Sequence, residues 1–243
     1  MINFRRYNNA EINPAVWSSD EEFNNALSSC MISVFTRMFA ALLVTAISAF
    51  AVTQFSGLER FVFGNGIFFF VLLFAPVGLV MVISAGINKM KASTASMLFY
   101  IYAIVNGLTL SIIFYAYELG AIFQAFAVTS LMFGGMAVFG YTTKKDLSRI
   151  GNILYMALFG IVLVSLMNFI FFRSEPLSWL VSYVIILVFV GLTAWDTQRI
   201  KYELAGAVSS EQVAKISVIG ALRLYLNFIN IFLHVLRILG RKR

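Results

Sequence analysis

The sequence predicts an all-α membrane protein, and three observations carry that expectation. Of the 243 residues 60% are hydrophobic and 12% charged, about half the charged share of an ordinary soluble domain. Six stretches are almost free of ionisable groups over about 20 residues, the length that one helical crossing of a bilayer core requires. They follow one another at even spacing with short polar breaks and only 3 Pro in the chain. That spacing fits helices, whose backbone groups are satisfied internally, and not the ten-residue alternation of an outer-membrane barrel.

Residues 1–30 contain Glu11, Asp20, Glu21 and Glu22 and no apolar h-region. They read as an N-terminal tail ahead of a transmembrane domain at 31–243, not as a cleavable signal peptide, so the first hydrophobic segment inserts as a permanent span. Spans are expected at 34–53, 67–87, 94–117, 121–141, 153–172 and 177–195. With the N-terminus cytoplasmic, the inner segments hold ten basic residues, Lys89, Lys144 and Lys145 among them, and the outer loops hold two, Arg60 and Arg173. That asymmetry orients the chain. Arg37, near the start of the first span, reads as a snorkelling side chain.

The seventh segment, 216–239, differs. Arg223, Asn227, Asn230, His234, Arg237 and Arg241 recur at intervals of four, three, four, three and four, which places all six on one helical face. Such a helix either lies on the membrane as an amphipathic anchor or turns its polar face to a cavity within a bundle. A full crossing puts Arg241, Lys242 and Arg243 outside, against the charge rule, whereas a re-entrant helix keeps them inside.

Composition removes several function classes. The net charge of +7 is what short cytoplasmic loops and anionic lipid head groups select, and no basic cluster is interleaved with exposed aromatics, so nucleic acid is not expected as a partner. Cys30 is the only cysteine and His234 the only histidine; neither a disulfide nor a Cys/His metal site can be assembled, and no cofactor is expected. The hydrolase elbow, the zincin motif and the phosphate-binding loop are absent, and Gly64-Asn65-Gly66 is too short for a dinucleotide fingerprint. Catalysis is not expected.

Two carboxylates remain of interest. Asp196, in Ala-Trp-Asp-Thr-Gln-Arg, lies where the sixth span continues as helix. Either it pairs with Arg199 at i+3, or, because a negative charge near a helix C-terminus opposes the helix dipole, a cationic or proton-donating group stands beside it. Asp146, among Lys144, Lys145 and Arg149, reads as the N-cap of the fifth helix.

The stretch from Gly140 to Phe171, the Trp195-Asp196-Thr197-Gln198 end of the sixth helix and the segment Ala221 to Gly240 together resemble the Bax inhibitor family, the transmembrane Bax-inhibitor-motif proteins, in its bacterial branch. The resemblance implies seven helices, six of them around a central C-terminal seventh, in a cell inner membrane. It also implies a pH-sensitive calcium leak in which two aspartates share a proton and latch the cytoplasmic end shut. Two carboxylates in contact cannot both stay charged cheaply, so they titrate as a unit.

The sixth-helix aspartate of that pair falls on Asp196 and the seventh-helix one on Asn227, within Tyr-Leu-Asn-Phe-Ile-Asn. A basic residue that contacts the latch aligns with Lys89. An Asn amide can donate a hydrogen bond at any pH without titrating, and Arg223, one turn earlier, adds positive charge that repels calcium. Asn230 and His234 complete the expected ion path. The expectation is a kept fold with a weakened leak. The alternative is a non-conducting regulator of a membrane-bound protease or another membrane protein, with residues 1–25 as a handle.

Overall fold

The computed structural model describes residues 17 and 19–240. Seven helices among these are long and apolar enough to cross a membrane. Element by element the chain runs α1 (Asp20–Gln54), α2 (Ser56–Phe63), α3 (Gly66–Gly86), α4 (Ala92–Leu110), α5 (Ile112–Ala116), α6 (Leu119–Thr142), α7 (Ser148–Met167) with a π-helical turn at Asn168–Phe172, α8 (Glu175–Ala205) and α9 (Ser210–Leu239). No strand occurs among the described residues.

The first helix starts well before its expected boundary. Ser19 accepts the Glu22 N–H at 3.1 Å as N-cap, and Asp20, Glu21 and Glu22 fill the first turn, where carboxylates complement the helix dipole. Phe23, Leu27, Cys30, Met31 and Val34 then bury one face, so residues 20–30, expected to belong to the tail, are helical. The rest of that tail, residues 1–16, lies outside the described residues, as do Arg241, Lys242 and Arg243.

Large apolar side chains stand exposed along most spans, Ile67, Phe70, Phe74 and Met81 on α3 among them, as expected where the solvent is lipid. Burial differs widely between helices: 11% of the apolar window of α3 is buried and 72% of that of α9.

The chain divides into two compact units. Among the described residues, one comprises those up to Glu118 with Ala207–Tyr225, and the other Leu119–Gly206 with those from Leu226. Helix α9 contributes to both.

In the first unit α1 packs on α4 and α4 on α3. Gly107 permits the first approach, since a Cβ there would meet the Thr45 carbonyl oxygen at 2.5 Å. Pro76, inside α3, lacks the N–H that the Leu72 carbonyl would accept. The Thr109 hydroxyl lies between that carbonyl, at 3.1 Å, and the Val105 carbonyl of its own helix, at 3.0 Å, and shares its one proton with both, the kind of repair that makes proline tolerable in lipid. Arg37, expected only to snorkel, has partners within the protein. Its Nη1 donates to Ser96 Oγ at 2.7 Å and its Nε to Ser33 Oγ at 3.2 Å, because two hydroxyls within reach satisfy a guanidinium that lipid cannot.

In the second unit α8 packs against α6 and α7. A Cβ on Gly140 would overlap the Ala194 backbone, and one on Gly151 the Trp195 ring. Both glycines are needed for the helices to meet this closely.

Candidate functional site

The site of interest is built on α8, which continues ten residues past Trp195 as a buried helix. Leu192 through Gln198, Ile200, Lys201, Leu204 and Ala205 are all buried. Asp196 is 1% exposed and Asn227, on α9, 4%. The Asn227 Nδ2 donates to Asp196 Oδ2 at 2.7 Å, the short distance of a hydrogen bond to a charged acceptor. Arg199, the alternative partner, turns to Glu203, with Nε to Oε1 at 2.9 Å, and lies 5.1 Å from the Trp195 ring centroid. An amide is thus one proton-donating neighbour of the kind that the helix dipole calls for.

The same end of α8 holds the neighbouring chain turn in place. Gln198, fully buried, accepts the Leu147 N–H through Oε1 and donates through Nε2 to the Lys145 carbonyl, both at 2.8 Å. One amide thus satisfies two backbone groups of the α6–α7 connection. Lys201, 2% exposed, donates through Nζ to the Tyr141 carbonyl and sits 4.9 Å from that ring's centroid. Tyr141 belongs to the last turn of α6, whose carbonyls have no helical partner and favour a cation. Asp146 stands one position before the cap residue Leu147, but its Oδ1 accepts the Ser148 N–H at 2.8 Å. It serves the helix start from one residue further out than expected, because Leu147 takes the cap position and bonds Gln198.

The remaining expected site residues distribute as follows. Asn230 folds back on its own helix, Nδ2 donating to the Leu226 carbonyl at 2.8 Å. His234 is half-buried, and its Nδ1 is enclosed without a hydrogen-bond partner among the described residues. Both share a unit with Asp196 and Asn227. Lys89 and Arg223 belong to the other unit. Lys89 lies exposed in the turn after α3, its N–H donating to the Gly86 carbonyl at 2.9 Å, and Arg223 is half-buried on α9. Along α9 the polar stripe is covered at Asn227 and becomes exposed at Arg237.

A second buried polar cluster escaped sequence reasoning. In the first unit the Asn106 Nδ2 donates to the Tyr225 hydroxyl at 2.8 Å, the Tyr225 and Thr45 hydroxyls are 2.7 Å apart, and Thr45 donates to the Ala103 carbonyl at 3.0 Å. With the Thr45 proton committed to Ala103, Tyr225 must donate to Thr45, which directs the chain of bonds from Asn106 to Ala103. The rings of Phe99 and Tyr102 meet Tyr225 edge-on at 5.8 and 5.4 Å. Tyr225 reads as a generic apolar position of α9, and nothing local marks its partner 180 residues away. Gln198 and Lys201 were missed for a related reason: polar side chains past the end of a span read as solvent-facing, and their backbone partners lie more than fifty residues away.

Among the described residues no group of three His, Cys, Asp or Glu side chains could hold a metal ion. What the Asp196–Asn227 pair can do is keep a carboxylate and an amide joined inside the fold without either proton of the amide being titratable.

Seven apolar helices with a buried carboxylate pinned to the C-terminal helix define a multi-pass helical membrane protein. The family described as "Inhibitor of apoptosis-promoting Bax1" matches residues 27–243, and the chain belongs to this Bax inhibitor family. It is 46% identical over 219 residues to the inner membrane protein YbhL of Escherichia coli, covering 89% of this chain and 93% of that protein. An uncharacterized protein of Borreliella burgdorferi is 40% identical over 214 residues (88% and 92% covered), and the uncharacterized protein RP147 of Rickettsia prowazekii 37% over 228 (93% and 95%).

Proposed function

We propose that this chain is an inner-membrane relative of the pH-sensitive cation leak proteins in which the latch is held shut by a bond that does not titrate. The observation that carries this reading is the 2.7 Å hydrogen bond from Asn227 to a 1%-exposed Asp196. Where two aspartates would share a proton and separate once it is lost, an amide donates at every pH. The pH-dependent calcium leak is accordingly weak or absent. The cytoplasmic N-terminus, the place of α9 at the centre of six helices and the ion-path roles of Lys89, Arg223, Asn230 and His234 belong to the same proposal. The charge asymmetry supports the first, and the 72% burial of the α9 window supports the second. The reading assigns no catalytic step to the protein.

The test is calcium flux into proteoliposomes between pH 6 and pH 8. The native chain is expected to be near silent, and Asn227→Asp to create flux that rises with pH. A native chain with strong flux rising with pH sinks the proposal. Silence of both forms turns the reading to a regulator of a membrane-bound protease, to be checked by co-purification that depends on residues 1–25.

A further inference from the structure

The opposite end of α8 from Asp196 carries a cleft that the latch does not use. At the α7–α8 connection a cavity of about 800 Å³ is lined by Arg173, Glu175, Asn168, Ser165, Ser178 and Arg237. That volume is within the usual range of small-ligand sites. Both arginines are exposed, and neither guanidinium has an ion-pair partner among the described residues. With Glu175 as the one acid, the lining carries an excess of one positive charge.

The cleft is rigidly built. Asn168, 7% exposed, accepts the Ser174 N–H at 3.0 Å and donates to the Ser174 carbonyl at 3.1 Å and to Ser178 Oγ at 2.8 Å. This staple closes the π-helical turn and holds Arg173 in the left-handed region at φ 47°. Backbone of that kind costs about 1–3 kcal/mol and gathers at ligand clamps, and single π turns do likewise.

An apolar groove adjoins the cavity. Val181 lines both, and the groove runs between Ala157, Gly160, Ile161 and Val164 of α7 and Leu180 and Val184 of α8, with a volume of about 270 Å³. Gly160 leaves it open, since a Cβ there would meet nothing within 4 Å. From Asn168 back to Ala157 α7 advances about 16 Å, close to the hydrocarbon depth of one leaflet, about 15 Å. A net-positive chamber with both polar and apolar walls, Phe169 and Ile170 among the latter, at the end of an apolar slot one leaflet deep matches an amphiphile with an anionic head.

We propose that this cleft binds one anionic phospholipid, its phosphate between Arg173 and Arg237 and one acyl chain in the α7–α8 groove. Free phosphate lacks the chain that the groove takes, and a zwitterionic lipid does not neutralise the excess charge.

The experiment is native mass spectrometry of the full chain released from nanodiscs made with equal parts phosphatidylglycerol, phosphatidylethanolamine and phosphatidylcholine of identical acyl chains. One retained phosphatidylglycerol per chain is expected. Arg237→Gln, an exposed change in the last turn of α9, and Arg173→Gln should each weaken retention roughly tenfold or more, whereas Arg60→Gln, on α2, should leave it unchanged. Gly160→Leu should lower lipid retention, and soluble glycerophosphoglycerol should bind far more weakly than the lipid. Equal retention of the three lipids, full retention in the Arg173→Gln/Arg237→Gln double variant, or headgroup binding as tight as lipid binding would each overturn the proposal.

Discussion

Tyr225 and Asn227 stand two residues apart on α9, belong to different units, and meet polar partners of different kinds. Tyr225 joins a neutral relay in which each group donates one hydrogen bond to the next, Asn106 to Tyr225 to Thr45 to Ala103. Asn227 meets a carboxylate. A neutral relay of this kind contributes modestly, because in a membrane the unfolded reference also finds hydrogen-bond partners. A buried carboxylate is different: placing one in a membrane helix costs about 2.5–3.5 kcal/mol on insertion scales. A neutral cluster is a way to join helices; a charged one calls for a functional reason.

The comparison can be broken at three strengths. Asn227→Leu removes the amide from the Asp196 carboxylate and is expected to destabilise the protein by about 2 kcal/mol, within the range for hydrogen bonds to charged groups, as read by denaturant unfolding in micelles followed by circular dichroism. Tyr225→Phe keeps the ring packing against Phe99 and Tyr102 and deletes only the hydroxyl, so about 1 kcal/mol is expected in the same assay. A larger loss for Tyr225→Phe than for Asn227→Leu would reverse the assignment of the charged cluster as the costly one.

The third change uses an exposed carboxylate of the same unit as Asp196. Hydrogen bonds from Ser148, through its side chain first and its backbone second, hold the Asp146 carboxyl below the usual range. A depressed carboxyl stabilises the folded chain above its unfolded pKa, about 3.9, and that contribution is lost as pH falls through the lower folded value. Asp146→Asn should therefore cost about 0.3 kcal/mol near neutral pH, with the gap from wild type closing in the acid range. A gap that widens on acidification contradicts the bond to Ser148.

Much of this architecture was legible in the chain itself, and the exceptions share a cause. Six spans and the striped seventh helix followed from local hydropathy and the 3.6-residue period. Asp196 was marked by its rarity in an apolar setting, and its link to Asn227 came from resemblance and not from spacing. The early start of α1 was hidden because Asp20, Glu21 and Glu22 look like a tail until Ser19 is seen to cap them. The burial of the end of α8 was hidden because Gln198 and Lys201 look solvent-facing until the α6–α7 turn is packed against them.

By itself the sequence determined that the chain lives in lipid and where its apolar segments lie, since transfer of some twenty apolar side chains out of water is a property of each segment alone. It also set one face of α9 as polar. Only the tertiary structure decided which polar groups satisfy one another: Asn227 with Asp196, Thr109 with the carbonyl freed by Pro76, Tyr225 with Thr45. A hydrogen bond needs its atoms within about 3 Å, and packing alone brings groups so far apart in the chain to that distance.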